Sequence, residues 1–182
     1  VLEDPAERAA ELLAQGEIVS WFQGRMEFGP RALGQRSILG NPGIKGTADE
    51  INTRIKFREA WRPFCPSMLK ERATELFDND HDSPFMTFTF GVKEEWRERV
   101  PEIVHVDGSA RPQLVTEERN PRFYRLLKCF EEKTGLPIVI NTSLNRRGEP
   151  MVCSPEDAIA MLYNSGLEFL IMEDYLVTKR HG

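Results

Sequence analysis

Apolar residues recur at helical spacing in four segments of the chain. Each segment begins with a capping Asp, Thr, Asn or Ser, and its apolar residues at positions i, i+3 and i+4 form one face of the helix. The predicted helices run from Asp4 to Gly16, from Thr47 to about Trp61, from Asn120 to Gly135 and from Ser154 to Gly166. In the last of them, Ile159, Leu162 and Tyr163 are expected to face inward.

Shorter apolar or alternating runs lie between these helices and predict strands. The predicted strands or extended segments cover residues 17–24, 62–69, 83–92, 103–106, 136–143 and 167–179. A long loop rich in glycine, proline and arginine is expected over residues 24–46, and a turn at Asp107-Gly108. Helices and strands alternate without repeats or low-complexity linkers, which predicts one α/β domain (α+β mixed) around a mixed sheet over residues 1–182.

Length and charge limit the classes of function. The chain has 182 residues, a formal net charge of −5 and a pI near 5.4, which argues against a general nucleic-acid binder. No apolar run approaches the length of a membrane span. Because the first residue is Val1, we expect a fragment of a larger protein.

The three cysteines, Cys65, Cys129 and Cys153, are odd in number and far apart, and no CxxC is present. We expect small, buried or half-buried thiols in a reducing compartment, and hence a cytoplasmic protein. A nucleophilic role for Cys65 stays open, although no histidine lies near it in sequence. The histidines are scattered, so no metal site is predicted.

Cationic residues concentrate in the segment from Gly24 to Phe64, which holds eight of them against four acidic residues. Taken singly, each arginine is expected to be solvated or paired with a nearby acid. As a set, arginines beside glycine and proline suit a polyanionic small molecule, because glycine lets the backbone approach and arginine offers a planar fork. Neither a Walker A loop nor a GxGxxG fingerprint is present.

Polar side chains follow the predicted strand at residues 136–143. Asn141, Thr142, Ser143 and Asn145 form a tight cluster of neutral donors and acceptors where a buried strand runs into a glycine-containing loop. A structural Asx or Ser/Thr turn would explain the same residues without a ligand. Hydrogen bonding suits Ser143 better than nucleophilic attack, because no base lies nearby in sequence.

The stretch "VDGSARPQ" is a weaker candidate. Asp107 could hold Mg²⁺ and Arg111 could bind a phosphate, but Asp-Gly more often forms a hairpin turn, and we expect a turn here.

These motifs have a family resemblance. "GRMEFGPRALGQRSIL", "IKFREAWRPFCP", "SPFM", "VDGSARPQ" and "TGLPIVINTSLNRRGEPMVCSPEDA" together resemble the C-terminal domain of the NodU/CmcH carbamoyltransferase family, over about residues 16–179. Cys65 and Leu144 stand where Ala and Phe would be expected, and both departures look conservative. The resemblance implies a YrdC-like fold, a twisted mixed sheet with flanking helices and a concave basic face.

The resemblance also implies a reaction. In this family, carbamoyl phosphate and ATP, with Mg²⁺, are expected to give carbamoyl-adenylate and pyrophosphate in the C-terminal part. An N-terminal domain of the same polypeptide then transfers the carbamoyl group to an acceptor hydroxyl. A homodimer is compatible with the resemblance, whereas a membrane or nucleic-acid partner is not implied. A non-catalytic YrdC-like module that binds a nucleotide or RNA is the alternative.

By resemblance, Lys56 and Arg58 match the KxRE element and are expected to contact carbamoyl phosphate or the AMP phosphate. Arg31 is expected to clamp an oxyanion or pyrophosphate. The expected substrate- or nucleotide-binding residues are Arg25, Arg36, Asn52, Arg62, Asn141, Thr142, Ser143 and Asn145.

Overall fold

The structure is a computed structural model, and it describes residues 1–59 and 61–179. Within those ranges, seven strands form one mixed sheet and two short strands form a separate pair. The strands are β1 Val19–Phe22, β2 Arg36–Gly40, β3 Cys65–Leu69, β4 Phe90–Gly91, β5 Ser109–Ala110, β6 Gln113–Val115, β7 Ile138–Ser143, β8 Phe169–Met172 and β9 Tyr175–Thr178. The large sheet has the order β6-β3-β7-β2-β1-β8-β9.

The sheet contains two parallel and four antiparallel strand pairs, so it is mixed, as the mixture of helices and strands predicted. β1 pairs with β8 and β3 with β6 in parallel, while β7 lies antiparallel between β2 and β3. The helices are α1 Pro5–Ala14, α2 Thr47–Glu50, α3 Ala73–Leu76, α4 Glu94–Arg97, α5 Pro121–Thr134 and α6 Pro155–Tyr163. A π-helix over Ile51–Lys56 continues α2, and 3₁₀ turns cover Lys70–Arg72 and Pro101–Ile103.

The helices α1 and α5 form as the local signals predicted. Asp4 Oδ1 accepts from the backbone N–H of Glu7, and Asn120 Oδ1 accepts from that of Phe123. α5 ends at Gly135, whose φ of 71° is the left-handed conformation that glycine adopts at low cost. The two helices pack against each other, and their buried faces join the sheet in one hydrophobic core.

Several predicted elements are wrong in detail. β2 lies inside the predicted loop, because hydrogen bonds to β1 and β7 on both sides hold this segment in the sheet. The predicted strand at 83–92 is reduced to Phe90–Gly91. No strand forms at 103–106, where Ile103 ends the 3₁₀ turn and Val106 is fully exposed. In α6 the inward face is Ala158, Met161 and Leu162, whereas Ile159 and Tyr163 are exposed.

The helix predicted from Thr47 begins and ends differently. Its N-cap is Gly46, and the carboxylate of Glu102 accepts from the N–H groups of Gly46 and Ala48, so a distant residue replaces the predicted capping box. The helix ends at Phe57, short of the predicted Trp61, because Phe57 is left-handed with a φ of 47°. The three cysteines are free, and Cys153 is exposed instead of buried.

Candidate functional site

Two cationic residues, Lys56 and Arg58, lie on either side of Phe57 at the end of the π-helix. At Phe57 the backbone reverses, and the carbonyl of Asn52 accepts hydrogen bonds from the N–H groups of both Phe57 and Arg58. The buried Asn52 side chain also accepts from Arg58 Nε at 2.6 Å. Asn52 therefore fixes both the backbone and the guanidinium of Arg58.

Lys56 is buried, and its ammonium group joins the helix to the end of β7. Its Nζ donates to Asn145 Oδ1 at 2.7 Å, to the Asn145 carbonyl at 3.0 Å and to Ser143 Oγ at 3.2 Å. The Ser143 carbonyl is a further acceptor of the same group. Ser143 Oγ donates to Asn145 Oδ1 at 2.6 Å, which closes the cluster. Lys56 thus holds the loop after β7 in one conformation.

Burial and the nearby charge of Arg58 lower the pKa of Lys56 to about 7. Burial is the larger cause, because it removes water from the charged ammonium form. A small change in the environment, such as the arrival of an anion, therefore changes the charge of this group near neutral pH.

A cavity of about 380 Å³ lies beside this cluster. Four arginines from three parts of the chain contribute to its wall, and polar residues of β7 and apolar side chains complete it. The lining residues used below are Arg31, Arg58, Arg62, Cys65, Arg111, Asn141, Thr142 and Ser143. The described lining contains no aspartate or glutamate, so the cavity is cationic in an acidic protein.

Two arginines of the cavity wall, Arg58 and Arg111, are held by specific contacts. The Arg58 guanidinium carbon lies 4.6 Å from the centre of the Phe64 ring, and burial followed by the charge of Arg62 lowers the Arg58 pKa. Arg111 contacts Cys65 Sγ through Nη2 at 2.9 Å and Nε at 3.2 Å. The like charges of Arg58 and Arg62 repel each other, and binding of an anion would relieve this repulsion.

The structure separates the predicted residues into three groups. Arg31, Arg58, Arg62, Asn141, Thr142 and Ser143 line the cavity. Asn52, Lys56 and Asn145 do not line it but hold residues that do, through the contacts given above. The two remaining residues, Arg25 and Arg36, are placed elsewhere.

Arg36 is buried in a cage of backbone oxygens. Its Nη1 donates to the Gln23 carbonyl at 2.9 Å, its Nη2 to the Gly24 carbonyl at 3.0 Å, and its guanidinium carbon lies 3.5 Å from the centre of the Phe22 ring. Arg25 is exposed and lines a separate cavity of about 280 Å³. Neither residue lines the arginine cavity.

Arg111 and Cys65, which the sequence offered only as weaker candidates, also line the cavity. Arg111 precedes β6 and Cys65 begins β3, so only the folding of the sheet places the two side chains together. "VDGSARPQ" and "RPFCP" carried the available signal, because each places an arginine beside a proline. Asp107 lies in the predicted turn, where its Oδ1 accepts from the N–H of Ser109 at 3.0 Å.

No group of three or more His, Cys, Asp or Glu side chains is arranged to hold a metal ion in residues 1–59 and 61–179. A search of the same residues for a helix long and apolar enough to cross a membrane found none.

The fold and the cavity define an α/β domain with a cationic cavity at the polar end of β7, and comparisons with known proteins give its family. The model of the family "Carbamoyltransferase C-terminus" matches residues 10–179. An uncharacterised protein of Methanocaldococcus jannaschii is 47% identical over 96% of this chain and 29% of its own length. Nodulation protein NolNO of Sinorhizobium fredii is 44% identical over 98% of this chain and 27% of its own.

A relative named as a carbamoyltransferase is also similar. The 3'-hydroxymethylcephem-O-carbamoyltransferase of Streptomyces clavuligerus is 41% identical over 85% of this chain and 30% of its own length. The chain belongs to the carbamoyltransferase C-terminus family. It spans between 25% and 34% of the length of the curated relatives that it matches.

Solved structures confirm the predicted YrdC-like fold. HypF of T. kodakarensis matches 99% of this chain with 24% of its own, at a TM-score of 0.62 and 18% identity. A variant of P. abyssi Sua5 matches 96% of this chain with 52% of its own, at a TM-score of 0.61 and 14% identity.

Proposed function

We propose that this domain binds carbamoyl phosphate and ATP in the arginine cavity and forms carbamoyl-adenylate for a carbamoyltransferase. The family match and the cephem O-carbamoyltransferase support the transfer of a carbamoyl group as the overall activity. The observation that carries the proposal is the convergence of Arg31, Arg58, Arg62 and Arg111 on one cavity beside the polar end of β7.

The proposed reaction joins carbamoyl phosphate, ATP and one water, and gives carbamoyl-adenylate, phosphate and pyrophosphate. Water takes the phosphoryl group of carbamoyl phosphate, so that the bond between phosphorus and the carbamoyl oxygen breaks and carbamate remains. A carbamate oxygen then bonds to the α-phosphorus of ATP. The bond from that phosphorus to the bridging oxygen breaks, and pyrophosphate leaves.

The described residues suit this chemistry through position and charge. Negative charge develops on the transferring phosphoryl group and on the leaving pyrophosphate, and fixed guanidinium groups stabilise such charge. Arg58, oriented by Asn52, and Arg31 are proposed to contact the phosphates. Arg111, which precedes β6, supplies a further guanidinium group to the cavity. No covalent intermediate on a side chain is required.

Lys56 is proposed to position the site and to respond to its charge. Its ammonium holds Ser143, which lines the cavity, and Asn145, which follows β7. A bound polyanion would favour the charged form of Lys56. Lys56 therefore couples the presence of the substrate phosphates to the order of the loop.

Mg²⁺ is proposed to enter as part of the MgATP substrate. The described cavity lining offers no carboxylate to hold the ion. Phosphate oxygens and water are therefore its expected ligands, since Mg²⁺ commonly keeps several waters and binds substrate phosphates.

The rest of the polypeptide is proposed to bind the acceptor. The relatives are three to four times longer than the matched segment, which leaves room for a further domain that completes transfer to a hydroxyl group. A cytoplasmic location and a homodimer are proposed as well.

The alternative is a non-catalytic module that binds a nucleotide or RNA. Thermal unfolding of the full-length protein with MgATP, with carbamoyl phosphate and with RNA distinguishes the two. We expect the two small ligands to raise the melting temperature of wild type, and Arg58→Ala to abolish the effect of carbamoyl phosphate. Stabilisation by RNA alone, or an unchanged carbamoyl phosphate effect in Arg58→Ala, would reject the proposal.

A further inference from the structure

A cysteine and an arginine of the cavity wall, Cys65 and Arg111, contact each other through their side chains. Two donors of the guanidinium reach Cys65 Sγ, Nη2 at 2.9 Å and Nε at 3.2 Å. Cys65 is half-buried, and both residues line the arginine cavity. Because the described lining contains no carboxylate, this sulfur is the acceptor that holds Arg111 at the wall.

The register of the sheet places this pair. β3 and β6 run parallel with Ser67 opposite Gln113, and Cys65 and Arg111 come two residues earlier on each side. Side chains two residues apart along an extended chain point to the same face. Ser67 Oγ donates to Gln113 Oε1 at 2.6 Å, and the contact between Cys65 and Arg111 follows this contact where the cavity begins. The sheet therefore brings the sulfur and the guanidinium together.

A second guanidinium lies near the same sulfur. Burial and then the charge of Arg62 lower the Arg58 pKa, whereas negative charge on Cys65 acts in the opposite direction and raises it. Cys65 is thus close to Arg58 as well as to Arg111, and both arginines line the cavity. A change in the size of the group at this sulfur therefore acts where two proposed phosphate-binding groups meet.

We propose that the Cys65 thiol positions Arg111 for phosphate binding, and that a mixed disulfide formed at this sulfur weakens anion binding by the arginine cavity. The inference rests on the proposed function, because it concerns the affinity of that cavity for phosphates. A guanidinium that is already held in place loses less conformational freedom when a phosphate binds. Alanine, which the family resemblance would place at this position, has no acceptor, so the inference concerns this chain and not the family pattern.

A small disulfide is the class of compound that would modify the thiol. The Cys65 sulfur attacks one sulfur of the disulfide, a new S–S bond forms as the old one breaks, and the leaving sulfur takes the proton as a free thiol. The added group fills the space in which a phosphate would meet the Arg111 guanidinium. Excess dithiol reverses the exchange and restores the Cys65 thiol.

The other two cysteines serve as internal controls. Cys129 is fully buried in α5, and burial raises its pKa to about 12, so little of it is present as the reactive thiolate. Cys153 is exposed but does not line the arginine cavity. Modification of Cys153 is therefore expected to leave anion binding unchanged.

Calorimetric titration of the full-length protein with pyrophosphate tests the positioning role through a double-mutant cycle. Cys65→Ala is expected to weaken binding roughly three- to tenfold, because the acceptor that holds Arg111 is lost. In an Arg111→Met background the same substitution should change the affinity by less than about twofold. Cys65→Ser keeps an acceptor and should bind pyrophosphate more tightly than Cys65→Ala.

Treatment with hydroxyethyl disulfide, a small neutral reagent, tests the effect of modification. Wild type should lose pyrophosphate affinity at least roughly tenfold and regain it with dithiothreitol. Cys153→Ser should respond like wild type, whereas the affinity of Cys65→Ser should be the same before and after treatment. The comparison of these two variants separates Cys65 from thiols elsewhere in the full-length protein. Pyrophosphate present during the treatment should slow labelling of Cys65 but not of Cys153, followed by peptide mass spectrometry.

The outcomes separate this inference from the function on which it rests. If wild type binds pyrophosphate and Cys65→Ala binds it equally or more tightly, the positioning role is overturned and the proposed function stands. An equal loss in the Arg111→Met background also overturns it, because the sulfur would then act through another group. Unchanged affinity of wild type labelled at Cys65 overturns the effect of the mixed disulfide. If wild type does not bind pyrophosphate, the proposed function fails and the inference fails with it.

Discussion

The Nζ atom of Lys56 lies 2.7 Å from Oδ1 of Asn145, although 89 residues separate the two along the chain. This contact ties the end of the π-helix to the loop after β7, and Ser143 joins it from the strand itself. The cavity wall next to β7 is therefore held by a buried cation that does not itself line the cavity.

Removing the Lys56 ammonium should destabilise the fold. Lys56→Met keeps most of the apolar stem but leaves the oxygens of Ser143 and Asn145 without their donor. We expect the free energy of unfolding to fall by roughly 1–3 kcal/mol, measured by urea denaturation. Lys45→Met, at an exposed position on the preceding loop, is the matched control and should change stability by less than about 0.5 kcal/mol. Equal effects of the two substitutions would show that the cluster adds nothing to stability.

Stability should depend on pH through the same group. The Lys56 pKa is about 7 in the folded protein, against an ordinary value of 10.5. Between these values the unfolded chain binds a proton that the folded protein has released, so the free energy of unfolding rises with pH. The slope from this group is at most about 1.4 kcal/mol per pH unit, and it disappears below pH 7.

Urea titrations of wild type and Lys56→Met between about pH 6 and pH 9 measure this contribution by difference. We expect the stability of wild type to rise more steeply than that of the variant above pH 7, and the two curves to run parallel below it. Burial raises the pKa of Cys129 to about 12, but that thiol is present in both proteins and cancels. Parallel curves over the whole range would contradict the depressed pKa of Lys56.

Substitution of Arg36 should lower stability, whereas substitution of Arg31 should weaken ligand binding, although the two arginines have similar sequence surroundings. Arg36 is buried and donates to backbone carbonyls, so Arg36→Met is expected to cost roughly 2–4 kcal/mol of stability, seen as a lower melting temperature. Arg31 is exposed at the cavity rim, so Arg31→Ala should leave stability within about 0.5 kcal/mol and weaken pyrophosphate binding instead. Calorimetry with pyrophosphate measures the second effect. The assignment fails if Arg36→Met melts like wild type.

Local signals account for the elements that the sequence predicted well. α5 lies between Asn120-Pro121 and Gly135, and each end is fixed by hydrogen bonds within a few residues. β2 was missed because its pairing partners, β1 and β7, lie elsewhere in the chain. The premature end of the predicted helix at Phe57 follows from the Asn52 contacts and the left-handed backbone, neither of which has a signal in the hydrophobic pattern.

The kinds of residue in the candidate site could be predicted from the sequence, but their arrangement in space could not. A local excess of arginine beside glycine and proline indicated a site for a polyanion. The family resemblance predicted that the polar residues at the end of β7 belong to the same site. Nothing in the spacing distinguished Arg31, which lines the cavity, from Arg36, which is buried away from it. The contribution of Arg111 depends on the register between β3 and β6, which only the folded sheet defines.

The central claim is that the arginine cavity activates a carbamoyl group with ATP. Its most direct test is exchange of labelled pyrophosphate into ATP by the full-length protein, with and without carbamoyl phosphate. We expect exchange in wild type to require carbamoyl phosphate and to fall at least roughly tenfold in Arg58→Ala, which removes a charged contact worth about 1.5–3 kcal/mol. Arg54→Ala is the matched control, because Arg54 lies four residues earlier, within the π-helix, pairs with Glu50 and does not line the cavity.

We expect Lys56→Ala to reduce exchange as well, because it releases Ser143 and Asn145, whereas Arg54→Ala should stay within about twofold of wild type, a change of less than 0.5 kcal/mol. Exchange in wild type that is independent of carbamoyl phosphate would contradict the account. Exchange that survives unchanged in both Arg58→Ala and Lys56→Ala would contradict it equally.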